Sequence, residues 1–209
     1  MIRIIIVDDH PIFREGLKKI ISESHDIIIA DEVSTGRELL DRLKKNSYDI
    51  IMLDISLPDM SGLEILGNLQ NGKKHPPVLI ISMHPEEQYA VRALKTGASG
   101  YLTKGSIPDE LLTAIRRVSA GRKYISSALA EKLAADLNKR DEQPAHDKLS
   151  DREYQVMVML ASGKSTGEIA RQLLLSLPTI STYRSRILQK INLKNNAELI
   201  HYAIKNNLV

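Results

Sequence analysis

The chain contains no cysteine. That absence removes disulfide frameworks, thiolate metal sites and cysteine nucleophiles, and with them thiol redox chemistry; it fits a reducing compartment. Long apolar runs are missing as well. The run from Met1 to Val7 is short and is closed at once by Asp8 and Asp9, so it lacks the extended apolar core of a signal peptide. Nothing elsewhere approaches the roughly 20 apolar residues of a membrane span, and the expectation is a cytoplasmic protein with no membrane partner. Net charge is small too, at +3, so composition alone describes an ordinary globular protein. At 209 residues the chain suits one or two domains, each able to bury a core.

The small net charge hides an asymmetry. From Lys148 onward nine Lys/Arg face four Asp/Glu, a net +5, whereas the residues before it carry 20 basic against 22 acidic, a net −2. A basic tail on a slightly acidic body points to a polyanionic partner for the tail, although a solvated surface can carry the same charge.

Over its first 118 or so residues the sequence alternates short β-branched runs with longer amphipathic stretches, the mark of repeated βα units. Ile2 to Val7, Ile27 to Asp31, Ile50 to Leu53, Val78 to Ile81 and Gly100 to Leu102 read as strands, the first and third apolar on both faces, as in a parallel sheet covered by helices. Between them Phe13, Leu17, Ile20 and Ile21, and later Leu111, Ile115 and Val118, fall at helical spacing, and Pro11 suits a helix start. Helices around Arg37 to Lys45, Gly62 to Gln70 and Glu86 to Lys95 complete the alternation, which predicts a doubly wound five-stranded α/β domain. After Gly121 the pattern changes. Ser126 to Leu137 reads as a further helix and Asn138 to Lys148 as a polar linker. From Leu149 onward only four short helical segments follow, a small all-α domain. The expected division is residues 1–120, a linker with its helix at 121–147, and 148–209.

In an open parallel sheet, ligands bind outside the carboxyl ends of the strands. Asp8 and Asp9 follow the first predicted strand, Asp54 the third, Ser82 the fourth and Lys104 the fifth. Each has a bland reading: helix cap for Asp8, Asp9 or Ser82, turn former for Asp54, surface lysine for Lys104. Five such residues on one sheet edge outweigh those readings. Three carboxylates at close range repel unless a cation joins them, and an all-oxygen set suits Mg²⁺. Asp54 is then the candidate nucleophile for phosphoryl transfer, with Lys104 neutralising charge, Asp9 on the metal, Asp8 acting through water and Ser82 hydrogen-bonding a phosphoryl oxygen.

Val7-Asp8-Asp9-His10, Leu53-Asp54-Ile55-Ser56-Leu57-Pro58-Asp59-Met60-Ser61-Gly62 and Gly100-Tyr101-Leu102-Thr103-Lys104 resemble the receiver domain of two-component response regulators. The resemblance implies a flavodoxin-like sheet of order 2-1-3-4-5, phosphorylation of Asp54 by a sensor histidine kinase or phosphotransfer protein, and Mg²⁺ held by Asp9, Asp54 and the Ser56 main-chain carbonyl. It also implies a switch pair of Ser82 and Tyr101. Gly105 departs from the family, many members of which place a cis-proline after the lysine.

Thr166 to Ser185 has the proportions of a helix-turn-helix: Glu168 to Leu174, a turn at Leu175 to Leu177, and a second helix opened by Ser176 as N-cap with Pro178 in its first turn. On the second helix Ile180, Ile187 and Ile191 share one side, Ser181, Thr182, Ser185 and Gln189 the other, with Arg184, Arg186 and Lys190 on the flanks able to reach phosphates. Leu149-Ser150-Asp151-Arg152-Glu153, Gly163-Lys164-Ser165, Glu168-Ile169-Ala170 and Thr179-Ile180-Ser181-Thr182-Tyr183 resemble the LuxR-type DNA-binding domain. Joined to a receiver, this is similar to the NarL/FixJ class of response regulators, in particular its GacA/UvrY and BvgA-type members. The resemblance implies that Ser181, Thr182 and Ser185 face bases and that Thr179, Tyr183, Arg184 and Arg186 hold the backbone of double-stranded DNA. Pro178 replaces the commoner polar residue and puts the first-turn contacts in question. Short hydroxyl side chains discriminate bases weakly, so a homodimer on two half-sites is expected, with Leu199, Ile200, Ala203 and Ile204 of the last helix as its surface.

Other classes fit less well. A haloacid-dehalogenase-type phosphatase needs Asp-x-Asp after the first strand, and a dinucleotide-binding protein needs Gly-x-Gly-x-x-Gly; neither is present. The expectation is therefore a regulator with no enzymatic turnover beyond its own phosphorylation and slow autodephosphorylation. The remaining alternative is a phosphorylation-independent DNA-binding regulator using the receiver as a dimer scaffold.

Overall fold

The computed structural model describes residues 1–72, 75–106, 108–127, 129–131, 144–206 and 208–209, at residue 87 the backbone alone. The chain divides into two compact units, Met1–Leu133 and Ala134–Val209.

The first unit is built from β1 (Ile2–Val7), α1 (Pro11–Ser22), β2 (Ile27–Val33), α2 (Gly36–Lys45), β3 (Ile50–Leu53), α3 (Gly62–Gln70), β4 (Val78–Ser82), α4 (Glu86–Thr96), β5 (Gly100–Thr103) and α5 (Pro108–Ser119). Its five strands form one parallel sheet of order β2-β1-β3-β4-β5. Ile4, Ile6, Ile50, Met52, Leu79, Ile81 and Leu102 join Leu17 and Ile21 of α1 and Leu111, Ile115 and Val118 of α5 in one core. The alternate strand residues Ile5, Val7, Ile51, Leu53 and Ile80 are fully buried as well, so both faces of the sheet are covered at its centre, which is why β3 and most of β1 and β4 read as apolar runs. Three strands run past their predicted ends. Val33 pairs with Val7, and Thr103 with Ser82; ladder pairing carries the strand into residues whose own character does not announce it. Ser82 is thus the last residue of β4, at the sheet's carboxyl edge.

In the second unit a 3₁₀ turn at Ala145–Lys148 leads to α6 (Asp151–Ala161), α7 (Thr166–Gln172), α8 (Leu177–Lys190) and α9 (Asn196–Lys205). Each helix opens on a side-chain cap, at Ser150, Ser165, Ser176 and Asn195, and the first two form complete capping boxes with Glu153 and Glu168. The Ser165–Glu168 box starts α7 at Thr166, two residues before the predicted start. It ends at Gln172, and Leu174 then turns through φ +52 with the Leu175 N–H closing on the Ala170 carbonyl at 2.9 Å. A leucine in the left-handed region costs on the order of 1 kcal/mol, which the turn tolerates to set the two helices. Val156, Met157, Ile169, Ile180, Ile187, Leu199 and Ala203 form the interior.

Of the helix predicted at Ser126 to Leu137, residues 127 and 129–131 are helical, and positions 128 and 132–137 lie outside the described residues. Among the described residues no helix is long and apolar enough to cross a membrane.

Candidate functional site

The turns after β1, β3 and β5 and the end of β4 bring Asp8, Asp9, Asp54, Ser82 and Lys104 to one edge of the sheet. The Lys104 ammonium, its side chain 3% exposed, lies 2.6 Å from Asp8 Oδ2 and 2.7 Å from Asp54 Oδ2. Asp8, Asp54 and Ser82 are buried. Asp9 Oδ1 is enclosed, with the His10 imidazole as its near polar neighbour. His10 Nδ1 lies 2.8 Å from it and 3.1 Å from Asp8 Oδ1, and ligand atoms of Asp8, Asp9, His10 and Asp54 all fall within 4.8 Å of one another. Three carboxylates this close together form an oxygen donor set of the kind that suits a hard divalent cation.

The backbone fixes where Asp54 points. Its N–H donates to the Val7 carbonyl at 2.9 Å, and the following loop folds back so that Ser56 bridges to Ser61 and the Gly62 N–H reaches the Ile55 carbonyl at 2.8 Å. A Cβ at Gly62 would sit 2.1 Å from the Asp54 carbonyl oxygen, so only glycine lets α3 begin there. Asp54 Oδ1 accepts from the Ser56 N–H at 3.2 Å. Burial lifts the Asp54 carboxyl above its ordinary range; the Lys104 ammonium opposes that lift and the Asp8 charge adds to it.

The helix-cap reading does not hold for Asp8, Asp9 or Ser82, whereas Asp54 does shape its own turn through the Ser56 N–H. The N-cap position of α1 is His10, with no side-chain cap; Asp8 Oδ1 instead accepts from the His10 N–H at 2.7 Å and its other oxygen meets Lys104. The Ser82 hydroxyl accepts from the His84 N–H at 3.2 Å, while Pro85 holds the N-cap position of α4. Tyr101 is 1% exposed, and its hydroxyl donates to the His84 carbonyl at 2.9 Å. Sequence reasoning left His10 and His84 without roles. His84 Nε2 lies 3.1 Å from Ser56 Oγ, and its ring stacks on Tyr89 at 4.5 Å.

In the second unit α8 exposes Ser181, Thr182, Ser185 and Arg186 and buries Ile180 and Ile187; Thr179, Tyr183 and Arg184 are half-buried. Two of the basic flanks are already engaged: Arg184 Nε donates to Asn196 Oδ1 at 2.6 Å, and the Lys190 ammonium lies 2.6 Å from Glu153 Oε2. On α9, Leu199 and Ala203 are fully buried in their own unit while Ile204 is 58% exposed, so the apolar stripe of that helix is core, and only Ile200 and Ile204 of the expected dimer surface remain reachable.

The response regulator receiver domain family matches residues 4–116, more than half of the chain. The chain belongs to the response regulators. The family of bacterial regulatory proteins of the luxR type matches residues 147–203. The chain is 32% identical to the response regulator UvrY of Escherichia coli K12 over 209 residues, covering all of this chain and 96% of UvrY. It is 36% identical to the transcriptional regulatory protein UhpA of Salmonella typhimurium over 201 residues, covering 96% of this chain and 97% of UhpA. In fold it is similar to RcsB of Salmonella enterica serovar Typhimurium, a structure bound to the rprA promoter in the presence of the phosphomimetic BeF3−, with TM-score 0.65 at 23% identity over 96% of this chain and 97% of that one. This response regulator, of the NarL/FixJ class, is a DNA-binding transcriptional regulator of two-component signalling, switched by phosphorylation.

Proposed function

We propose that Asp54 is the phosphoacceptor of this response regulator and that α8 reads its DNA. The observation that carries the first half is the meeting of Asp8 and Asp54 at the Lys104 ammonium, with Asp9 in the same acidic cluster. Asp8, Asp9, Asp54 and the Ser56 main-chain carbonyl would hold Mg²⁺, which when bound neutralises charge on phosphoryl oxygens. The chain's own residues do the rest. An Asp54 carboxylate oxygen attacks the phosphorus of a phosphohistidine on a sensor kinase or phosphotransfer protein; the O–P bond forms as the N–P bond breaks and the imidazole leaves. Lys104 follows the negative charge onto the phosphoryl group, and the Ser82 hydroxyl turns to donate to one of its oxygens. Ser82 and Tyr101 act as the switch pair. The chain is no enzyme toward other substrates; it catalyses its own phosphorylation and slow dephosphorylation.

Ser181, Thr182 and Ser185 approach base edges, and Thr179, Tyr183, Arg184, Arg186 and Lys190 hold phosphates, the last after exchanging Glu153 for the DNA backbone. A homodimer on two half-sites, paired through Ile200 and Ile204, supplies the specificity that hydroxyl contacts lack. Residues 1–120 serve as receiver, 121–147 as linker and 148–209 as DNA-binding domain, acting in the cytoplasm where the DNA is.

The test is Asp54→Asn. With Mg²⁺ and acetyl phosphate, intact-mass spectrometry of the unaltered chain gains one phosphoryl group and DNA affinity rises; the variant gains neither. Equal stimulation of DNA binding in the variant would remove this mechanism.

A further inference from the structure

The segment that leaves α5 stays on the first unit. The Tyr124 N–H donates to the Ser99 carbonyl at 2.8 Å, and Tyr124 pairs with Gly100 as an isolated parallel bridge, so the chain lies for one residue along the outer edge of β5. Gly100 permits that approach, since a Cβ there would lie 2.8 Å from the Tyr124 carbonyl oxygen. The Tyr124 side chain is sunk in the core shared by β5 and α5. Two residues on, the Ser126 hydroxyl does two things at once: it donates to Glu86 Oε2 at 2.6 Å and accepts from the Leu129 N–H at 3.1 Å. Ser126 therefore caps the helical residues that follow it, and its own proton is held by the first residue of α4.

Glu86 is two residues past His84, and His84 is tied at both ends of its peptide: its N–H to the Ser82 hydroxyl, its carbonyl to the Tyr101 hydroxyl. A displacement of Ser82 toward a group on Asp54 pulls the His84 N–H with it, and the start of α4 is too close along the chain to stay behind. The hydroxyl-to-carboxylate bond is of the stronger, charge-assisted kind, and its carboxylate moves with α4. We propose that the Ser126–Glu86 hydrogen bond is a latch joining the loop between β4 and α4 to the N-terminal cap of the linker helix, and that the state of Asp54 reaches the linker through it. The bridge at Tyr124 is the fixed end of this device and Ser126 the end that responds. The inference rests on Asp54 being the phosphoacceptor.

The test uses the full chain, unaltered and as Ser126→Ala, Glu86→Ala and Ser126→Thr, with Mg²⁺ and with or without acetyl phosphate. Hydrogen exchange is followed in peptides covering residues 122–131, with peptides of α1 as a folding control, and Asp54 phosphorylation is read by intact mass on the same samples. In the unaltered chain phosphorylation is expected to change exchange of the 122–131 peptides by roughly five-fold or more, since opening free energies of local segments shift readily on this scale. Ser126→Ala and Glu86→Ala are expected to become phosphorylated to the same extent yet to show less than a two-fold response, and Ser126→Thr, which keeps the hydroxyl, to restore it. A full response in Ser126→Ala at equal phosphorylation overturns the latch alone. No phosphorylation of the unaltered chain overturns the phosphoacceptor reading and the latch with it.

Discussion

The two units place their working residues in opposite ways. In the first, the carboxylates, the ammonium and the hydroxyl come from four separate strand ends, and the turns after β1 and β4 give the helices they precede no side-chain cap. A covered parallel sheet holds those helices, and this frees Asp8 and Ser82 from capping. In the second unit the candidate contacts lie within a dozen residues of a single helix, and among the described residues no sheet supports it. There each of the four described α-helices begins on a serine or asparagine that accepts from the N–H three residues on. A site assembled from distant segments is stabilised by its scaffold; a site on one helix is stabilised by that helix's own termini and its packed stripe.

Five substitutions break or sharpen this contrast. The largest effect is expected from Lys104→Met, which leaves Asp8 and Asp54 facing each other in a buried site: removing one partner of such a pair costs about 3–5 kcal/mol. Denaturant unfolding in EDTA should show the loss in the first unit only, and added Mg²⁺ should recover a large part of it; a loss that Mg²⁺ leaves untouched would count against a cation site. Ile187→Ala removes a fully buried side chain of α8 and should cost the second unit about 3 kcal/mol through the cavity it leaves. Calorimetry should then show the second unit's transition moving down while the first stays, and a joint shift would mean that the two do not unfold independently. Arg186→Ala, at an exposed position of α8, should leave stability alone and reduce the slope of log affinity against log salt by about 1; an unchanged slope would take Arg186 off the phosphates. Smallest is the cap comparison. Ser165→Ala should destabilise the second unit by about 1 kcal/mol, as helix caps generally do, and Thr35→Ala at the start of α2 should cost the first unit less. Equal costs would remove the distinction drawn between scaffold and terminus.

Much of the first unit was legible in the sequence because burial on both faces leaves β-branched runs that nothing interrupts, and because Asp8, Asp9, Asp54 and Lys104 each stand directly after such a run. The strand order rested on the family resemblance, since spacing alone does not say which strand lies beside which. His10 and His84 escaped notice: an imidazole among carboxylates, or one joined to Ser56, depends on loop paths that periodicity does not describe. The stripe on α9 was read as an interface when Leu199 and Ala203 are core, because in a domain this small the apolar stripe of every helix is needed inside before any can be spared for a partner. The early start of α7 is written in Ser165 and Glu168, whose reciprocal capping box fixes the first turn at Thr166.

Gly62 has a further consequence. Because a single added carbon there would meet the Asp54 carbonyl at 2.1 Å, the depth at which Asp54 sits is set by a hydrogen atom in the next turn of chain. The carboxyl edge of the sheet therefore tolerates no side chain at position 62 unless α3 and Asp54 move apart together.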